Sequence, residues 1–158
     1  MTEISEPLEF KIYANDGFVR IQLATVFGYP NETCHWGGYD TQSQLEIKSQ
    51  GLTVLTNLYI STGELYNFYE QLLRACDSLT GTANLTSYEG NLNLTLTFDN
   101  LGHANIEGKY REYIEPSYSV EFDMSTDQSY LKETVGELER IYKKYGNNTG
   151  IAGLKTNS

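Results

Sequence analysis

At Ser61 the spacing of apolar residues changes, and this change constrains the fold more than any other feature of the chain. Before it, apolar and polar residues alternate, the period of a half-buried strand. After it, Leu65, Phe68, Tyr69, Leu72, Leu73 and Cys76 recur three and four residues apart, which is one face of a helix. Ser61 with Glu64 three positions later forms a capping box, in which each side chain can satisfy the other's backbone N–H. The spacing predicts a helix over about 62–79, ended by Gly81.

Strand patterns flank this helix. Leu8, Phe10 and Ile12 alternate with polar residues up to a turn at Asn15-Asp16-Gly17, and Val19, Ile21 and Leu23 continue the pattern. A long loop is expected over 28–43, followed by a hairpin whose arms carry Leu45 and Ile47, then Leu52, Val54, Leu58 and Ile60. Beyond Gly81 a short strand near 82–88 precedes three alternating segments. Their apolar sets are Leu92, Leu94, Leu96, Phe98; Ala104, Ile106, Tyr110; and Tyr118, Val120, Phe122, Met124. A second helix is expected from about Asp127 to Tyr145, opened by a capping box from Ser125 to Gln128. Tyr130, Leu131, Val135, Leu138, Ile141, Tyr142 and Tyr145 form its apolar stripe.

Two helices among about eight grouped strands imply an α+β, two-layer architecture: a mainly antiparallel sheet with both helices packed on one face. A chain of 158 residues has the size of one core, so residues 1–146 are expected to form a single domain and 147–158 a flexible tail. No repeat of solenoid period is visible. Leu92, Leu94, Leu96, Ile106, Val120 and Phe122 should be buried against Leu65, Phe68, Leu72, Leu138 and Ile141.

The net charge of −10 opposes binding to nucleic acid and to anionic lipid. No run approaches the roughly 18 apolar residues of a membrane span, and the N-terminus lacks the basic flank and apolar stretch of a signal peptide. A cytoplasmic location is therefore expected, with Cys34 and Cys76 reduced.

The sequence gives little support for catalysis. Only two histidines occur, His35 and His103, in different loops and without partners at ligand spacing, so neither a metal nor a cofactor is expected. The chain lacks the phosphate-binding and nucleophile-elbow motifs. Glu121 and Asp123, two positions apart on one strand, project from the same face, a spacing that a glycan-acting hydrolase could use. Solvation of a half-exposed strand is the plainer account.

Two surfaces suggest binding instead. Alternation places Asn93, Thr95, Thr97, Asn105, Glu107, Lys109, Ser119, Glu121 and Asp123 on the polar face of the last three strands. Between Glu89 and Asp123 seven acidic residues face only Lys109 and Arg111, a field suited to a basic protein partner, though excess acid also simply promotes solubility. The loop over 28–43 carries the only tryptophan, Trp36, together with Tyr39, and such loop aromatics serve contact surfaces or fold onto the core.

Several strings from Leu45 onward carry a family resemblance. They are Leu45-Glu46-Ile47-Lys48, then Ser61-Thr62-Gly63-Glu64-Leu65-Tyr66, and Tyr88-Glu89-Gly90-Asn91-Leu92. Gly102-His103-Ala104-Asn105-Ile106-Glu107-Gly108 follows, and Asp127-Gln128-Ser129-Tyr130-Leu131 opens the last helix. This pattern resembles the WapI-type bacterial immunity proteins, cytoplasmic antidotes to toxin domains exchanged between neighbouring cells. The resemblance implies a non-catalytic protein that binds a toxin, commonly a nuclease with a basic surface. The expected partner-binding residues are Glu107, Glu121 and Asp123, with Trp36 and Tyr39 from the loop. Two other classes stay open: a hydrolase using the paired carboxylates, and an oligomer whose sheet edge pairs with itself.

Overall fold

The computed structural model describes residues 7–99 and 101–149. Its order is β1 (Glu9–Tyr13), β2 (Gly17–Val26), β3 (Asp40–Ser49), β4 (Leu52–Ser61), α1 (Thr62–Ser78), β5 (Thr82–Thr86), β6 (Leu92–Phe98), β7 (His103–Glu112), β8 (Tyr118–Asp127) and α2 (Gln128–Tyr145). All neighbouring strands are antiparallel, as the alternation implies, and the fold is α+β. The strands divide into two four-stranded meanders, β1-β2-β3-β4 and β5-β6-β7-β8.

Each meander runs directly into a helix, so the chain builds one unit twice. Ser61 caps α1 and Asp127 caps α2, which sets the correspondence between the units at 127 − 61 = 66 residues. At that spacing the identities between the units are Glu46 with Glu112, Val54 with Val120, Leu65 with Leu131, Leu72 with Leu138 and Arg74 with Arg140. So few identities leave no repeat to be read from the sequence.

The units also exchange their helices. α1 lies along β5, α2 lies along β1, and the helices pack on each other. In both units the third residue of the first strand donates its backbone N–H to the other unit's helix. Lys11 donates to Glu137 at 2.9 Å, and Asn84 donates to the matching residue, Gln71, at 2.8 Å. These bonds satisfy donors on sheet edges that would otherwise be open to another strand. Thr134 adds a hydroxyl bond to the Lys11 carbonyl at 2.7 Å.

One hydrophobic cluster joins the inner sides of both sheets to both helices. Leu92, Leu94, Leu96, Ile106 and Phe122 are buried in it with Leu65, Phe68, Leu72, Leu138 and Ile141, while Val120 is half-buried at its margin. Removing a leucine or isoleucine from water contributes about 1.5–3 kcal/mol, so this shared cluster dominates the energetics.

Four sequence expectations need correction. The one sheet expected is two, because each helix lies along the other unit's first strand and not across a single eight-stranded face. The long loop spans 27–39, because β3 already begins at Asp40. Its first inward positions are Thr41 and Ser43, buried polar residues that break the apolar pattern. They are satisfied internally, Thr41 Oγ1 lying 2.7 Å from both Ser43 Oγ and the Ile60 carbonyl. The second helix is capped by Asp127, whose carboxylate accepts from the N–H groups of Ser129 and Tyr130; Ser125 still belongs to β8. In α2 the stripe includes buried Thr134, whereas Tyr130 and Tyr142 are exposed.

Residues 147–149 run beside the long loop, with the Gly38 N–H donating to the Thr149 carbonyl at 2.6 Å. The rest of the expected tail, 150–158, lies outside the described residues.

Candidate functional site

The outer face of the second sheet is built in rows of directly opposed residues. One row reads Asn84, Thr95, Glu107, Asp123 and the next Thr86, Asn93, Lys109, Glu121. Most of these side chains are short, and with Gly108 and Phe122 they line a shallow polar depression that holds the acidic groups. Hydrogen bonds within the rows hold Thr95 to Asn84 at 2.9 Å and Thr86 to Asn93 at 3.2 Å.

Glu107 and Asp123 face each other across β7 and β8. Like charges in that position destabilise a sheet. Neither carboxylate has a cationic partner among the described residues; Glu107 accepts only from Asn105 Nδ2 at 3.2 Å. Glu121 lies 3.9 Å from Lys109 Nζ, and its side chain is 77% exposed, so this pair neutralises little. The first sheet treats charge differently. Arg20 is placed between Glu9 at 3.2 Å and Glu46 at 3.0 Å, balancing both. The unbalanced acid is therefore concentrated on the second sheet.

The loop over 27–39 forms a separate surface and covers the start of α1. The N–H groups of Thr62 and Gly63, which have no partner within the helix, donate to the carbonyls of Tyr39 and Gly37. This close approach explains two glycines. A Cβ at Gly63 would lie 2.5 Å from the Gly37 carbonyl, and one at Gly38, where φ is +64°, would lie 2.2 Å from Thr62 Oγ1.

The loop holds its aromatic residues in different ways. Trp36 is 50% exposed and stacked in parallel on Tyr88, with ring centroids 5.1 Å apart. Tyr88 comes from the β5–β6 turn and donates its hydroxyl to Asp40 at 2.9 Å; burial and that carboxylate raise its pKa. Tyr39 packs against Tyr29 and Tyr145 and donates to the Pro30 carbonyl, so it is half-buried within the loop's own cluster. Sequence reasoning found Trp36 but missed Tyr88 and Asp40, because nothing local in the sequence links a turn of the second unit to a loop of the first.

Glu64 sits beside this junction. Its carboxyl accepts from the Ser61 N–H at 3.0 Å, and burial pushes its pKa up to about 7, aided by Asp40 and opposed by the Ser61 hydrogen bonds. Burial also raises the Cys34 thiol, which makes it a poor nucleophile. Among the described residues no three His, Cys, Asp or Glu side chains are grouped to hold a metal, and no helix is long and apolar enough to cross a membrane.

The structure thus places Glu107, Glu121 and Asp123 together on one open face, and Trp36 on the loop beyond the sheet end nearest the Glu121 row. No curated protein and no solved structure matches the chain. The model of the immunity protein WapI-like family matches residues 11–146, nearly the whole described chain, including the loop that carries Trp36. By that match the chain belongs to the WapI-like family of immunity proteins.

Proposed function

We propose that the protein neutralises a basic toxin domain, with nuclease chemistry the best fit, by docking the outer face of its second sheet over the toxin's substrate-binding surface. The observation that carries this reading is the pair Glu107 and Asp123, opposed across two strands with no cationic partner among the described residues. A sheet gains nothing from such a pair when free, whereas lysine or arginine from a partner would convert the repulsion into attraction. A nuclease surface that receives phosphate presents such groups. Trp36, stacked on Tyr88 and half exposed, supplies an aromatic anchor on the loop beyond the acidic rows, with Tyr39 supporting the loop. The protein acts by occupancy alone, without catalysis or cofactor, in the cytoplasm of the toxin's target cell.

The test is association kinetics with the cognate toxin domain at low and high salt. Charge reversal at Glu107, Glu121 and Asp123 together should slow association by about ten-fold or more and flatten its salt dependence, with a smaller effect on dissociation. Trp36→Ala should chiefly speed dissociation. An on-rate indifferent to both salt and the triple reversal would rule out this face.

A further inference from the structure

Two four-stranded sheets have four edges, and the described residues protect three of them. The edge of β1 is occupied by Glu137 and Thr134 of α2, and that of β5 by Gln71 of α1. At β8 the Ser125 carbonyl accepts from the Asn15 N–H at 2.8 Å, and Glu121 and Asp123 put charge along the strand. Both devices discourage pairing with another chain.

β4 has neither. Among the described residues Leu52–Ile60 makes its backbone hydrogen bonds with β3 alone. Its register with β3 is regular over ten residues, and its sequence, Leu-Thr-Val-Leu-Thr-Asn-Leu-Tyr-Ile-Ser, holds no charge, proline or glycine. Leu55 is 57% exposed and Tyr59 42% exposed. A long, regular, uncharged edge is what natural sheets normally avoid.

We propose that β4 is the surface through which two copies of this chain associate, antiparallel and side by side, to make one continuous sheet. The strand is complementary to itself. Centred on Asn57, antiparallel pairing sets Leu55 against Tyr59 of the second copy and Asn57 against Asn57 on the outer face. The inner face then pairs Val54 with Ile60 and Thr56 with Leu58. A two-fold axis repeats every such contact, as an isologous interface requires.

Charge favours a second copy over the basic toxin at this edge. The strands of the first sheet carry Lys11, Arg20 and Lys48 against Glu9, Asp40 and Glu46, a neutral set that neither repels a copy nor attracts a basic protein. The acidic surplus sits on the second sheet, which this association leaves open. The proposal therefore stands independently of the toxin-binding face.

Sedimentation velocity on the full-length chain over a range of concentrations tests it. A concentration-dependent dimer is expected, and Leu55→Lys should weaken it roughly ten-fold, since the two-fold removes two cross-strand pairs at once. Because Leu55 is exposed in the single chain, the variant should keep the wild-type circular dichroism spectrum. As a separate measure of register, oxidation of Asn57→Cys should give a disulfide-linked dimer, while Thr53→Cys and the wild type should not. A monomer at every concentration, a dimer indifferent to Leu55→Lys, or an Asn57→Cys chain that does not crosslink would overturn the proposal.

Discussion

Glu64 is asked to do two things by its surroundings, and they pull on its proton in opposite directions. Closing the capping box favours the carboxylate, whereas burial under the loop over 27–39 favours the acid, and burial wins: the pKa rises to about 7. A carboxyl with a folded pKa above its unfolded value stabilises the fold fully below the unfolded pKa, about 4.3, and that contribution is lost as pH rises through about 7. Glu64→Gln retains an acceptor for the Ser61 N–H and removes the titration. Denaturant unfolding of variant and wild type from pH 4 to 8 should therefore show the variant gaining on the wild type as pH rises, by on the order of 1–2 kcal/mol after allowance for solvent screening. A constant difference across that range would contradict the buried-acid account. At the adjacent Gly63 the constraint is steric. Alanine there drives a methyl group into the Gly37 backbone, at a cost of about 1–3 kcal/mol, and the emission of Trp36, one residue before Gly37, should change with it.

At the scale of elements, the apolar spacing reveals nearly everything that a strand or helix decides for itself. The alternation in β6, β7 and β8 placed Glu107, Glu121 and Asp123 on the solvent side, where the structure has them exposed, because parity is a local property. Three features were hidden, each for a physical reason. Thr41 and Ser43 begin β3 as buried polar residues that satisfy each other, so hydrophobic pattern could not mark them. Asp127 outcompetes Ser125 as a cap because its carboxylate reaches two helix N–H groups at once. The division into two sheets depends on which helix shields which edge, and that is decided by contacts far apart in sequence. Glu137 makes the point testable. It accepts from the Lys11 N–H at 2.9 Å and the Tyr13 hydroxyl at 2.7 Å, so Glu137→Ala leaves two donors unpaired and should cost roughly 1–3 kcal/mol in thermal or urea unfolding. Glu137→Gln should recover most of that loss, since Gln71 already performs the matching task on β5. Equal losses in both variants would mean that the carboxylate charge, not edge coverage, is what matters.

For the whole molecule, the exchange of helices determines how the two units depend on each other. Neither unit completes its own sheet edge, and the buried sides of both contribute to one cluster, so neither should hold its structure after the other has melted. Trp36 is well placed to report this: the only tryptophan in the chain, it belongs to the first unit but stacks on Tyr88 of the second. Its emission should follow the joint between the units, while far-ultraviolet circular dichroism follows the strands and helices of both. In thermal or urea unfolding the two signals should give coincident midpoints. Leu138→Ala extends the test. Leu138 is 1% exposed in α2, the helix that shields the first unit's edge strand, and its truncation should cost about 2–5 kcal/mol while leaving the two midpoints coincident at a lower value. The magnitude alone would fit any buried leucine; the coincidence is what one cooperative fold requires. If Leu138→Ala separated the transitions, with the Trp36 signal persisting beyond the loss of secondary structure or vanishing before it, the units would be stable apart and the shared core would not be what binds them into one cooperative fold.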